Sequence, residues 1–187
     1  MTRYRAEHSY DRPSEERLRD GHGHLQYECL AFYRLGGLLV RMYSTSGTPA
    51  GIARDAWETL RLAALESWLS HVRCLLMAFR ENRAPKFPND LLFRDYLAPS
   101  AWSEVRGSLV PDDESEKRIS ALGTLVAHLT YSRVDRTHQG EWHVEEYARL
   151  DARIRTWYAA LGSDCKNLFA PLGDALAQAR AVPPAEE

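Results

Sequence analysis

Leu65-Glu66-Ser67-Trp68-Leu69-Ser70-His71-Val72-Arg73-Cys74-Leu75-Leu76-Met77-Ala78-Phe79 is the apolar heart of a longer proline-free stretch that begins after Pro49. Across it Ile52, Ala56, Leu60, Ala63, Ala64, Trp68, Val72, Leu75, Leu76 and Phe79 recur in steps of three and four. That is the spacing of a helix with a broad buried face, and it predicts one central helix from Pro49 to about Arg80. Thr48 before Pro49 suits a cap and first helical position.

The flanking sequence repeats the pattern. Ser14 with Glu15 and Glu16 makes a helix start, because acids are favourable in a first turn. Leu25, Cys29, Phe32, Leu35, Leu39 and Met42 then continue in helical register. Gly36-Gly37 lie inside this helix and read either as weak points or as a close helix crossing. Residues 81–112 hold Pro85, Pro88, Pro99 and Pro111 and predict an irregular connection, with short helical turns at 90–97 and 100–107. A third helix is expected from Glu114 to about Arg133 and a fourth from about Trp142 to Leu161, ended by Gly162. A last one covers roughly Asp164 to Ala181. No segment shows sustained β alternation. The expectation is an all-α, single-domain bundle of about five helices spanning 14–182, with a flexible segment at 1–13 and a tail at 183–187.

Composition narrows the function classes. A net charge of -2 carries no global basic field for nucleic acid or anionic membrane. Lysine occurs only at Lys86, Lys117 and Lys166, so the basic residues are almost all arginine. Cys29, Cys74 and Cys165 are scattered and odd in number, and two of them sit in apolar helical contexts, which predicts buried free thiols in a reducing cytoplasm. The polar N-terminus lacks a signal-peptide core, and no apolar run approaches the ~18 residues of a membrane span.

Two blocks place cations in apolar helices. The first is Glu66 to Phe79 with Leu69, His71, Arg73 and Leu75; the second is Ala127-His128-Leu129-Thr130-Tyr131-Ser132-Arg133. They resemble a family of uncharacterised bacterial proteins whose recurring pattern is Glu-Ser-x-Leu-x-His-x-Arg-x-Leu-x-x-Phe followed by Ala-His-Leu-Thr-x-x-Arg. Asp95-Tyr96-Leu97 and Trp102 resemble the family's acidic-aromatic link. The likeness covers roughly residues 50–160 and implies a helical fold; it brings no activity with it. A remoter resemblance, in size and architecture, is to HEPN-type bundles, many of them metal-independent ribonucleases. Their arginine-to-histidine spacing occurs here at Arg3/His8, Arg17/His22, Arg19/His24 and Arg133/His138.

His71 and Arg73 are two positions apart, ~200° around a helix, so they diverge. Convergence on one ligand needs a second helix, and His128 with Arg133 is the supplier. Two histidines and arginines near a phosphate meet the needs of metal-free RNA cleavage: His71 and His128 as acid and base, Arg73 and Arg133 as phosphate binders, Tyr131 to position or stack. The competing reading makes the same residues a structural lock, with Glu66–Arg73, Asp95–Arg73 or Asp95–His128 as buried pairs in a non-catalytic interaction module. RNA and a second copy of the chain are the partners these two readings imply. No metal or cofactor is expected. Glu66, His71, His128, His143 and Glu145 lack the Glu-x-x-His pairs of a di-iron bundle, and His22-Gly23-His24 is a weak cluster. Trp57, Trp68, Trp142 and Trp157 at helical positions read as core or dimer interface.

Overall fold

The computed structural model describes residues 12–45, 47–80, 90–106 and 141–179, the first six of the last stretch by backbone alone. Every regular element in them is helical: α1 (Glu15–Ser44), α2 (Arg54–Ala78), a 3-10 turn (Phe93–Tyr96), α3 (Pro99–Arg106), α4 (Glu141–Ala160), α5 (Ser163–Leu168) and α6 (Ala170–Gln178). The fold is a small all-α bundle. The third helix expected at 114–133 lies outside the described residues.

α1 starts where its sequence says it should. Ser14 is the N-cap, its side chain accepting from the Arg17 amide, with Glu15 and Glu16 in the first turn. The helix runs unbroken through Gly36-Gly37. The glycine at 36 is a seat: a Cβ there would collide with the Tyr147 ring, and the Trp68 indole nitrogen lies 3.2 Å from the same point. The close-crossing alternative therefore holds at Gly36 but not at Gly37, whose nearest neighbour is Arg41 Nη1 at 3.8 Å.

α2 begins at Arg54, five residues later than expected. The chain first makes a turn in which Ile52 N donates to Pro49 O, and Gly51 takes a left-handed φ of +84°, which a helix cannot contain. Proline after threonine signalled a helix start, but the glycine two residues on postponed it. α1 and α2 pack antiparallel, as the pairs Glu28–His71, Phe32–Trp68 and Tyr43–Arg61 require.

α4 closes the open side of this hairpin. At one level Phe32, Tyr33, Trp68 and Tyr147 form a ring cluster. At the other Trp157 meets Phe93 and Phe169 edge-on and donates its indole N–H to Phe93 O at 2.8 Å. Phe79 stacks on Phe93, tying the end of α2 into that second cluster. Tyr96 donates to Leu18 O, so the 3-10 turn is also fastened to α1.

Two boundaries differ from expectation near the end of α4. Gly162 has φ -67° and is the N-cap of α5, not a left-handed stop for α4. The expected last helix is broken at Phe169. Pro171 sits in the first turn of α6, where its missing N–H costs nothing, whereas within one continuous helix it would have left the Asn167 carbonyl without its donor.

Candidate functional site

His71 and Glu28 form the centre of the site. His71 lies on the flank of α2 that faces α1, one position off the buried Val72. Glu28 precedes the buried Cys29 on α1 in the same way. Antiparallel packing brings the two flanks together, and His71 Nδ1 stands 2.7 Å from Glu28 Oε2. The imidazole side chain is 14 % exposed and the carboxylate 26 %. With its proton on Nδ1 the imidazole donates to the carboxylate, and a protonated ring adds charge to the bond. Tyr27 covers the pair edge-on, its ring 5.6 Å from that of His71.

Cys74 stands one helical turn beyond His71 and is the exposed cysteine. Burial of its thiol comes first, and the Glu28 carboxylate, as charge and as acceptor, comes after; together they raise its pKa against the smaller pull of Arg73. Glu28 thus addresses both polar groups on that flank of α2 and favours the protonated thiol. Of the three thiols Cys29 is buried, Cys165 half-buried and Cys74 exposed, so burial of two is not met in full. Cys74 lies off the buried stripe of Val72, Leu75 and Leu76, and that position, not its apolar neighbours in sequence, sets its exposure.

The other expected members disperse. Arg73 is exposed and has no ion pair among the described residues, so neither Glu66–Arg73 nor Asp95–Arg73 forms. Two residues along a helix carry Arg73 away from the side that His71 occupies. Glu66 is half-buried on α2. Asp95 is fully buried; its Oδ2 accepts the Leu92 amide at 2.9 Å and its own amide donates to Leu92 O at 3.0 Å, which together close the 3-10 turn. His128, Tyr131 and Arg133 lie outside the described residues. Among those described, no group of three His, Cys, Asp or Glu side chains could hold a metal ion.

A second polar cluster was missed in the sequence. Tyr33 donates to Asp151 Oδ1 at 2.8 Å, and Arg155 Nε lies 2.9 Å from both oxygens of that carboxylate. The far side of the same guanidinium donates to Leu176 O and Ala179 O, the open carbonyls at the end of α6. Burial, then the Asp151 charge, pushes the Tyr33 hydroxyl far above its ordinary value, so it stays a donor. An i,i+4 Asp–Arg pair on α4 was the available signal, but such pairs are common on exposed helix faces.

No protein-family model matches this chain, and no curated protein or solved structure is similar to it.

Proposed function

We propose that this chain is a non-catalytic helical interaction module in which the Glu28–His71 pair fastens α1 to α2. The observation that carries the reading is the engagement of His71 itself. An imidazole held at 2.7 Å by a carboxylate of the neighbouring helix, with its neighbour Arg73 directed away, has the form of a lock. The three thiols, all free, support a reducing, cytoplasmic setting. No described helix is long and apolar enough to cross a membrane.

RNA cleavage is the reading this proposal displaces, and one experiment separates them. Wild type, His71→Ala and His128→Ala are incubated with mixed RNA in EDTA, and each is melted. The expected result is no cleavage by any of them. His71→Ala should lose about 1–2 kcal/mol as its partner carboxylate is left half-buried, lowering Tm by roughly 3–6 °C for a chain of this size. Cleavage by wild type that disappears in a still-folded histidine variant overturns the module reading and restores the ribonuclease one.

A further inference from the structure

The outer side of α1, turned away from the core, carries a strip with a sense of direction. From Asp20 to Arg41, steps of four and three residues pick out one continuous line through Tyr27, Ala31 and Leu38, the spacing of a helix–helix seam. Glu16 and Asp20 give the strip an acidic start, and Arg34 and Arg41 a basic end; all four are exposed. None of the four has an ion pair among the described residues. The middle is apolar and uneven: Tyr27 is 61 % exposed, whereas Ala31, one turn on, is small. Leu38 is 37 % exposed, and on α2 Leu60, next to the Arg61 that sits over the Tyr43 ring, is 51 % exposed.

Such a strip is complementary to itself when reversed. About a two-fold axis midway between Tyr27 and Ala31, Glu16 of one copy falls opposite Arg41 of the other. Asp20 lies within a turn of the same arginine, and each Tyr27 ring covers the other copy's Ala31. Every contact occurs twice, which is the property of an isologous interface. The parallel arrangement would set arginine against arginine and tyrosine against tyrosine. From Glu16 to Arg41 the helix runs ~38 Å, and the α1–α2 face is ~20 Å wide. The roughly 750 Å² this offers is close to the ~800 Å² per partner of a stable interface.

We infer that the outer face of α1 and α2 binds a second copy of this chain, with the two α1 helices antiparallel. The inference rests on the interaction-module reading and names its partner. Sedimentation velocity on the full chain at tens of micromolar tests it. Wild type should form a concentration-dependent dimer. Glu16→Arg/Asp20→Arg and Arg34→Glu/Arg41→Glu should each weaken it at least ~10-fold, since like charges then oppose across the two-fold. An equimolar mixture of the two variants should dimerise again, because positions 16 and 20 of each copy then meet the opposite charge at position 41 of the other. All four positions are exposed, and unchanged circular dichroism checks that the variants fold. A wild type that stays monomeric, or a dimer indifferent to both reversals, overturns the inference. Neither result alters the outcome of the RNA experiment, which decides the module reading separately.

Discussion

Cys74 combines exposure with a thiol that prefers its proton. Thiolate is the reactive form, so an accessible but raised cysteine should alkylate slowly. In the native protein, iodoacetamide near neutral pH should label Cys74 more slowly than a free thiol and leave the fully buried Cys29 untouched. Glu28→Gln removes the charge that opposes ionisation and should speed labelling of Cys74 several-fold, though not to the free-thiol rate, because burial is the larger cause. A labelling rate unchanged by Glu28→Gln would show that the carboxylate does not act on the thiol. The same substitution weakens the bond to His71. A double-mutant cycle over Glu28→Gln and His71→Ala should therefore show a coupling of about 1 kcal/mol in stability.

At the scale of elements, adjacent glycines in α1 have opposite roles. Gly36→Ala forces a methyl into the Tyr147 ring and should cost about 1–3 kcal/mol through displacement of α4. Gly37→Ala meets only ordinary contact distances and should stabilise the helix by about 0.5–1 kcal/mol. Thermal melts of the two variants should move in opposite directions from wild type. Helical register already puts Gly36 on the stripe of Cys29, Phe32 and Leu39 and Gly37 beside it; what it does not show is the Tyr147 ring that α4 presents there. This marks the boundary of what the chain disclosed unaided. The apolar periodicity identified α2, and Trp68, Val72, Leu75, Leu76 and Phe79 line its inner face as expected, because burial of a stripe is a property of one helix. Ile52, Ala56, Leu60 and Ala63, expected on that face, are exposed instead, because the core does not extend along the first turns of α2. Ser14 identified the start of α1 for the same reason. The partner of His71 sits 43 residues away in sequence. Glu28 resembles any other acid on the edge of an amphipathic helix until the hairpin aligns the two flanks. Helix ends that depended on a competing signal, Gly51 before α2 and Pro171 within the last segment, were displaced by the residue that offered the stronger local constraint.

For the whole molecule, Arg155 is the clasp. One guanidinium joins α4 to α1 through Asp151 and Tyr33 and holds the carbonyl end of α6. Arg155→Met keeps much of the aliphatic stem but leaves the Asp151 carboxylate and two carbonyls short of a donor. It should cost about 2–3 kcal/mol, and Arg155→Lys should recover only part, because a single ammonium cannot reproduce the planar fork. Chemical denaturation of the three proteins at neutral pH measures both. Equal stability of Lys and wild type would mean that charge alone, and not the fork, holds α6. The core beneath is shared out over long sequence separations: Phe169 meets His22, Tyr96 and Trp157, and Leu172 is fully buried.

This arrangement bears on how the chain matures during synthesis. The α1–α2 hairpin is local and can form as soon as it leaves the ribosome, yet its inner face is completed by Leu150, Ile154, Trp157, Phe169 and Leu172. About a hundred residues separate Leu75 from Leu172. At ordinary translation speeds of about 5–20 residues per second, Phe32, Trp68 and Leu75 must wait roughly 5–20 s for their covering. A nascent hairpin with that face open is a natural client for a holdase, and slowing elongation downstream of α2 should lower the yield of folded protein without changing its sequence.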